Sequence, residues 1–319
     1  MSTSTPRNLP VIASQLTAAM HERMAAAFPS LRILEVPPGF PQDLPAEATV
    51  FFATPYRAGE AAFPPRPSWV ERIEWIHLLS AGADGYPPWY FDVDPVTCSR
   101  GPTAQPVAEF ALAAVFAHAK RFPDSWIHDR GQWGPIGLDM VRGSTLGIVG
   151  YGAIGRELAR MAATFGMRVL VSRRNATPDE EPGVTAVSLQ TLASEADHLV
   201  LAAPATPETH HLVNRELLRA AKRGLHLVNV ARGSLVDQDA MVEALDAGQL
   251  SAATLDVADP EPLPAGHMLY SHPRVRLSPH VSSYDPALRS RLADAFIENL
   301  RRFVAGEQLA NRVNAAVGY

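Results

Sequence analysis

The stretch Leu146-Gly147-Ile148-Val149-Gly150-Tyr151-Gly152-Ala153-Ile154-Gly155 decides the fold class, because an apolar strand runs into Gly-x-Gly-x-x-Gly and then into a helix. Gly150 permits the tight turn, Gly152 lets the backbone approach a pyrophosphate, and Gly155 lets the helix pack closely on the strand. The helix start attracts phosphate through its N–H groups and dipole. The pattern predicts a dinucleotide-binding unit, with a purely structural glycine turn as the alternative. The predicted cofactor contacts in this turn are Gly150, Tyr151, Gly152, Ala153, Ile154 and Gly155.

The residues after the next predicted strand, 168–171, indicate which dinucleotide fits. A unit that binds NAD usually places Asp or Glu there, where the carboxylate accepts hydrogen bonds from the ribose 2′-hydroxyl. This chain has Ser172-Arg173-Arg174 instead. Guanidinium groups cannot accept that bond, but they hold a 2′-phosphate through paired, charge-assisted hydrogen bonds. The sequence therefore favours NADP(H), with NAD(H) still possible if both arginines are only solvated surface charges.

The composition is that of an ordinary globular protein, with 319 residues of which 47% are hydrophobic and 19% are charged. A net charge of −5 argues against a nucleic-acid or anionic-membrane partner. No apolar run approaches the roughly 20 residues that span a bilayer, and residues 1–10 contain no apolar signal segment. Cys98 is the single cysteine, so we expect no internal disulfide, no thiolate cluster and no metal site. These features predict a cytoplasmic protein.

Strand-like and helical segments alternate along the chain, which predicts parallel sheets. The expected strands are 10–14, 31–36, 49–53, 75–79, 146–149, 168–171, 198–202, 225–230, 252–257 and 275–278. The expected helices are 15–28, 106–121, 154–165, 214–223, 237–247 and 285–305. We predict an α/β fold of two doubly wound parallel-sheet domains. A Rossmann coenzyme domain, 101–282, is inserted in a flavodoxin-like substrate domain built from 1–100 and 283–319, and a cleft between two such domains is a usual place for a substrate.

Three reactive side chains follow successive strands in the second half of the chain: Arg232, Glu261 and His280. Because ligands bind beyond the carboxyl ends of parallel strands, we expect these side chains to converge near the nicotinamide. Arg232 can hold a carboxylate and polarise the adjacent carbonyl. His280 can exchange the proton that accompanies hydride transfer, and Glu261 can hydrogen-bond the imidazole and fix its orientation. Alone, Glu261 is more often a solvated loop charge and Arg232 a structural ion-pair member, and a strand-end histidine such as His280 is structural about as often as not. Together, behind a dinucleotide motif, they predict a catalytic trio.

Several ordered motifs then carry a family resemblance. They are Gln-Pro-Val-Ala-Glu at 105–109, the glycine stretch at 146–155, Pro-Ala-Thr-Pro-Glu-Thr at 204–209, Val-Asn-Val-Ala-Arg-Gly at 228–233, Leu-Asp-Val at 255–257, Pro-Glu-Pro at 260–262 and Ser-Pro-His-Val at 278–281. Through them the chain resembles the D-isomer-specific 2-hydroxyacid dehydrogenases over nearly its whole length. The resemblance assigns the family's catalytic Arg, Glu and His to Arg232, Glu261 and His280.

The resemblance also implies cofactor contacts outside the glycine turn. Asp256 would meet the carboxamide of the nicotinamide, and the backbone at Val230 and Ala231 would line its ring. Pro204 and Thr206 would lie near the adenosine end. These five residues complete the predicted cofactor site.

The first domain contains one more matching element, the loop at 79–84. In the family, backbone N–H groups of such a loop bind the substrate carboxylate, which assigns Ala81, Gly82 and Ala83 to the substrate together with Arg232 and His280. Consecutive amides in a turn make an anion-binding nest. An ordinary β-to-α turn is the alternative.

Residues 122–143 predict an excursion from the main core, and this segment contains Trp126 and Trp133. It matches the region that the family uses to dimerise, so the resemblance implies a homodimer. In some members a Trp of the neighbouring subunit reaches the substrate pocket. Trp133 is the candidate for that role, although a simple interface or core position is the more common one for an aromatic residue.

Members with arginine after the second Rossmann strand resemble NADP-dependent glyoxylate/hydroxypyruvate reductases. The expected activity is therefore reduction of small 2-keto acids to D-2-hydroxy acids, with NADPH preferred. One alternative is an NAD-linked dehydrogenase of another 2-hydroxy acid. The other is a dinucleotide-sensing, corepressor-like regulatory protein.

Overall fold

The computed structural model describes residues 8–55, 63–122, 124–174 and 182–314. They form two sheets, one of five strands and one of seven, and the described strand pairs are parallel. One compact unit contains the described residues up to Thr103 and from Asp285 onward, and the other contains Ala104–Tyr284. The predicted α/β fold of two parallel-sheet domains is confirmed.

The strands are β1 (Val11–Ser14), β2 (Arg32–Glu35), β3 (Val50–Ala53), β4 (Trp75–Leu78), β5 (Val96–Cys98), β6 (Thr145–Val149), β7 (Arg168–Ser172), β8 (Val184–Ala186), β9 (His198–Leu201), β10 (Leu225–Asn229), β11 (Leu250–Leu255) and β12 (Val275–Leu277). The helices are α1 (Ala18–Ala27), α2 (Ala104–Ala119), α3 (Ala153–Thr164), α4 (Leu189–Glu195), α5 (Arg215–Ala220), α6 (Gln238–Asp246) and α7 (Leu288–Ala305). None of the helices in these described ranges is both long and apolar enough to cross a bilayer.

The first unit has the strand order β2-β1-β3-β4-β5, in which α7 supplies part of the core. Every residue of β3 and β4 is buried, as expected for parallel strands covered on both faces. Phe296 of α7 stacks on Phe52 of β3 and Trp75 of β4, with ring centroids 4.5 Å and 5.0 Å apart. The C-terminal helix is therefore part of the first unit, although the whole second unit separates it from β5 in the sequence.

The second unit has the order β12-β11-β10-β9-β6-β7-β8. Its first strand, β6, lies between β7 and β9, so the chain winds outward from β6 in both directions. This is the Rossmann arrangement with one additional strand, and its topological switch point lies between β6 and β9. Ligands bind such sheets beyond the carboxyl ends of the strands on either side of that point.

Local side-chain bonds explain where helices begin relative to the sequence expectation. Asp237 caps α6 by accepting a hydrogen bond from the Ala240 N–H at 3.0 Å, so this helix begins as the sequence predicts. The helix expected from Gln15 begins three residues later, at Ala18. The Gln15 amide donates to the carbonyls of Pro37 and Gly39 at 2.9 Å and 2.6 Å. These tertiary bonds keep Gln15 in a loop.

Candidate active site

The glycine turn connects β6 to α3 and leaves open space in front of its backbone. Gly150 has φ +93°, and a Cβ there would lie 2.7 Å from the Ala202 carbonyl oxygen, so only glycine fits. A Cβ on Gly152 would meet no heavy atom of the described residues within 4 Å. Gly152 is also the N-cap of α3, so the first N–H groups of that helix border the same space. This open cradle fits the pyrophosphate of a dinucleotide.

The end of β7 lies beside this turn. The Gly150 N–H donates to the Ser172 carbonyl at 2.8 Å, which joins the turn to the last residue of β7. Arg173 follows in a half-buried position, and Arg174 is exposed. The structure thus puts both arginines next to the cradle, at the strand end where a dinucleotide's ribose binds in this fold.

The loop after β9 contains the other predicted cofactor residues, Pro204 and Thr206. Thr209 braces it, because its hydroxyl donates to the Pro204 carbonyl at 2.7 Å and accepts from the Thr206 N–H at 2.8 Å. The loop therefore holds a defined shape at the carboxyl end of β9. That end borders the topological switch point.

The predicted trio lies in loops that follow three adjacent strands. Arg232 follows β10, Glu261 follows β11 and His280 follows β12. The structure brings His280 and Glu261 together, with 2.9 Å between His280 Nδ1 and Glu261 Oε2. Their side chains are 29% and 34% exposed, so the pair is open to a ligand. This geometry leaves His280 Nε2 as the ring nitrogen that can exchange a proton.

Arg232 lies in a turn that its neighbours hold in place. The side chain of buried Asn229 accepts from the Ala231 N–H at 3.0 Å and donates to the Arg232 carbonyl at 2.8 Å. A Cβ on Gly233 would overlap the Ala258 carbonyl, so the turn can approach the loop after β11 only because this residue is glycine. Sequence reasoning missed Asn229. The signal was an amide residue at the end of a buried strand.

Asp256 holds the loop that carries His280. This fully buried carboxylate accepts from the Ser278 hydroxyl at 2.6 Å and from the N–H groups of Val281 and Ser282, each at 2.9 Å. Its backbone carbonyl accepts from the His280 N–H at 2.9 Å. His280 has φ +53°, a conformation that non-glycine residues rarely adopt. The Asp256 bonds explain how the loop keeps it, a positioning role that sequence reasoning did not assign.

In the first unit, the loop of Ala81, Gly82 and Ala83 follows β4. Ser80 donates through its hydroxyl to the Gly82 carbonyl at 2.6 Å, and its N–H donates to the Tyr86 hydroxyl at 3.2 Å. Burial raises the pKa of Tyr86 to about 12, so this hydroxyl stays protonated. The loop is therefore held internally, at the carboxyl end of its own strand.

Among the described residues, no group of three or more His, Cys, Asp and Glu side chains could hold a metal ion. A family model for the D-isomer specific 2-hydroxyacid dehydrogenase, NAD binding domain, matches residues 112–282. This chain belongs to the D-isomer specific 2-hydroxyacid dehydrogenase family. The matched segment contains the glycine turn and all three residues of the trio.

Relatives within this family agree with the match. The glyoxylate reductase of Korarchaeum cryptofilum is 40% identical over 232 residues, which cover 70% of each chain. The glyoxylate/hydroxypyruvate reductase B of Pectobacterium atrosepticum is 35% identical over 259 residues, covering 77% of this chain and 80% of that protein. A D-isomer specific 2-hydroxyacid dehydrogenase from Xanthobacter autotrophicus Py2, solved in complex with NADPH and MES, superposes with a TM-score of 0.82. It is 28% identical and the match covers 98% of this chain and 100% of that one.

Proposed function

We propose that this family member reduces small 2-keto acids of the glyoxylate and hydroxypyruvate kind to D-2-hydroxy acids, with NADPH preferred over NADH. The observation that carries the proposal is the 2.9 Å contact between His280 Nδ1 and Glu261 Oε2, beyond the carboxyl ends of β11 and β12. An imidazole oriented by a carboxylate and open to a ligand is suited to proton transfer. The relatives named glyoxylate reductase support the substrate class.

In this proposal His280 is the general acid. Glu261 holds the ring through Nδ1, so that Nε2 delivers its proton to the keto oxygen as that oxygen gains negative charge. In the direction of oxidation, the neutral ring accepts the hydroxyl proton at the same nitrogen. A bound nicotinamide cofactor supplies the hydride. Asp256 contributes by holding the His280 loop, and its predicted contact with the carboxamide remains part of the proposal.

Arg232 binds the substrate carboxylate in this proposal, because a guanidinium matches a carboxylate with two parallel hydrogen bonds. The same charge polarises the adjacent keto group. The assignment of the N–H groups of Ala81, Gly82 and Ala83 to the substrate carboxylate stays a prediction. The remaining cofactor contacts of the proposal are Val230 and Ala231 for the nicotinamide ring and Pro204 and Thr206 for the adenosine.

The proposed preference for NADPH rests on Ser172, Arg173 and Arg174. These residues offer a hydroxyl and two guanidinium groups where a carboxylate would select NAD. The relative from Xanthobacter autotrophicus Py2 was solved with NADPH, which supports the same choice. NAD(H) use is the second candidate, and the family model itself is described as NAD binding.

We further propose that the protein is a homodimer formed through residues 122–143. The described part of this segment leaves large apolar side chains in solvent: Phe122, Trp126, Ile127, Trp133, Ile136, Leu138 and Met140. Trp133 is 82% exposed and Met140 is 69% exposed. A group of large apolar side chains left exposed in one segment indicates an interface. Sedimentation of the Trp126→Asp/Trp133→Asp variant is expected to give a monomer, and an unchanged molecular mass would contradict the dimer surface.

The test of the activity follows the absorbance of the reduced nicotinamide. Purified protein is given NADPH or NADH, each with glyoxylate, hydroxypyruvate, pyruvate or phenylpyruvate. Faster oxidation of NADPH with the small keto acids is the expected result. Faster oxidation of NADH would keep the reaction and overturn the cofactor assignment. Tight NADPH binding with no oxidation in any mixture would overturn the reductase proposal and favour a dinucleotide sensor.

Two arginine substitutions at opposite ends of β7 sharpen the cofactor test. Arg173→Ala removes a guanidinium at the carboxyl end of β7, whereas Arg168→Ala removes one at the amino end, where Arg168 pairs with Glu195 at 2.7 Å. Arg173→Ala is expected to raise the KM for NADPH about tenfold, the value of one charge-assisted bond, and to leave that for NADH unchanged. Arg168→Ala is expected to change neither. Equal effects of the two substitutions would contradict the 2′-phosphate site.

A further inference from the structure

Tyr151 occupies the position between the first two glycines of the turn, and its ring is close to two arginines. The guanidinium carbon of Arg156 lies 4.8 Å from the ring centroid, and that of Arg173 lies 5.6 Å from it. Both distances are within the roughly 6 Å at which a cation is attracted to an aromatic ring. Tyr151 is itself buried, with 9% of its surface exposed. The ring is therefore a fixed surface, and the arginines are the longer, more flexible partners.

The local fold explains why these three residues meet. The Gly150 N–H bonds the Ser172 carbonyl at 2.8 Å, and Tyr151 and Arg173 are the residues that follow each of these two. Arg156 lies in the first turn of α3, which starts from the same glycine turn. The ring thus receives one arginine from the end of β7 and another from the start of α3.

The position of Arg156 is electrostatically unfavourable for the helix alone. The N-terminus of a helix carries a partial positive charge, so a cation in the first turn weakens the helix and an anion strengthens it. A π-face attracts such a cation and offsets part of this repulsion. The consequence is a concentration of positive charge beside the cradle, at the end of β7. That concentration of positive charge attracts an anionic ligand.

We propose that Tyr151 is a positioning residue for NADP(H), because its ring holds the guanidinium groups of Arg173 and Arg156 ready for the 2′-phosphate of the adenosine ribose. This inference rests on the proposed use of NADP(H). An arginine that is already oriented loses less rotamer entropy when the phosphate arrives. Tyr151 therefore contributes to the choice of NADP over NAD through its neighbours, and Arg156 joins Arg173 and Arg174 in the phosphate site.

The competing explanation is that Tyr151 only fills space, since it belongs to a hydrophobic cluster with Val171 of β7 and Leu158 of α3. Two substitutions separate these explanations. Tyr151→Phe keeps the ring and its π-face, whereas Tyr151→Leu keeps an apolar side chain but removes the π-face. A space-filling residue would affect NADP and NAD alike. A positioning residue affects the affinity for NADP alone and is rescued by Phe.

The experiment measures the Kd of NADP⁺ and of NAD⁺ by calorimetric titration, together with KM and kcat for NADPH and NADH. Tyr151→Leu is expected to raise the Kd of NADP⁺ about three- to tenfold, the range that one or two cation–π contacts support, with the Kd of NAD⁺ unchanged. Tyr151→Phe is expected to keep the wild-type Kd for both. The KM for NADPH is expected to rise together with the Kd of NADP⁺ in Tyr151→Leu.

Arg156→Ala supplies a second test that does not disturb the core, because Arg156 is exposed. It is expected to raise the Kd of NADP⁺ about threefold and to leave that of NAD⁺ unchanged. Its matched control is Arg160→Ala, which removes the same charge from the same helix but from a side chain paired with Glu157 at 3.1 Å. The control is expected to change neither Kd.

The outcomes distinguish the proposed role of Tyr151 from the proposed preference for NADP(H) on which it rests. If the wild-type protein binds NADP⁺ no better than NAD⁺, both the preference for NADP(H) and the role of Tyr151 are contradicted. If the wild type prefers NADP⁺ and both Tyr151→Leu and Arg156→Ala keep the same ratio of dissociation constants, only the role of Tyr151 falls. Equal weakening of both nucleotides by Tyr151→Leu would also overturn it, in favour of packing.

Discussion

The second unit has histidines at both ends of its sheet, and these histidines differ in exposure and in their contacts. At the carboxyl end, His280 is 29% exposed and its Nδ1 contacts a carboxylate, Glu261, at 2.9 Å. At the amino end, His198 and His226 are buried, and their Nδ1 atoms lie 3.1 Å apart. The ring of His118 stacks on that of His226, with centroids 4.2 Å apart.

The electrostatics follow the same division. Burial, helped by repulsion from His118, lowers the pKa of His198 to about 4, and burial lowers that of His226 well below its usual value. These rings are neutral at neutral pH and serve as hydrogen-bonded core. A histidine at a sheet edge is therefore not a site by itself. Contact with a carboxylate and access for a ligand are what distinguish His280.

The largest effect that tests this contrast is on turnover. His280→Gln is expected to lower kcat about 10²- to 10⁴-fold, the usual contribution of a general acid, while the Kd of NADPH stays close to wild type. His272→Gln is the control, because His272 lies before β12, at its amino end, and contacts Asp246 at 3.3 Å. The control is expected to keep wild-type turnover. Comparable losses in both variants would contradict the difference between the two ends.

The second prediction concerns stability in acid. Since the pKa of His198 is about 4 in the folded protein and that of an unperturbed histidine is 6.5, the unfolded chain binds more protons between these values. The contribution of His198 to the free energy of unfolding is therefore fully present above pH 6.5. It is lost as the pH drops toward 4, which lowers the free energy of unfolding by roughly 3 kcal/mol. Denaturant titrations across this range measure it.

A substitution in the buried histidine pair tests that prediction. His198→Gln removes the titrating group but keeps a polar partner for His226, so the decline of unfolding free energy between pH 6.5 and 4 is expected to become shallower. A His198→Gln variant with an unchanged slope would show that the buried cluster does not carry the acid sensitivity.

The smallest predicted effect comes from Glu261, the partner of His280. Glu261→Gln keeps an oxygen that can accept from His280 Nδ1 but removes its charge, so a charge-assisted bond becomes a neutral one. We expect kcat to fall about tenfold, the difference between these two bond classes. The double variant with His280→Gln is expected to be no slower than His280→Gln alone, since the pair acts as a unit. Multiplied losses would mean that Glu261 acts independently of the ring.

The sequence predicted those features that local chemistry determines. The glycine turn after β6 and the long apolar strands of both sheets were visible because each depends on neighbouring residues. The strands β5 and β8 were missed, since each has only three residues and shows no periodicity. Helix α4 was also missed, although the shorter α5 was expected.

The sequence did not predict the contacts that support the site, because these contacts join segments that are distant in the chain. The sequence indicated Asp256 through a family motif, but not that its carboxylate binds the N–H groups of Val281 and Ser282. Tyr151 was expected as part of the turn, and nothing in the order of residues showed that Arg156 and Arg173 would meet at its ring. Such contacts depend on how strands pair and where each loop turns.

The place of α7 in the first unit has a consequence for synthesis on the ribosome. Phe296 stacks on Trp75 and Phe52, yet it emerges only after every residue of the second unit has been made. The nascent first unit therefore exposes the apolar side chains that α7 will cover, while Ala104–Tyr284 already has all the strands of its own sheet. The second unit can therefore complete its sheet before the first unit can complete its core.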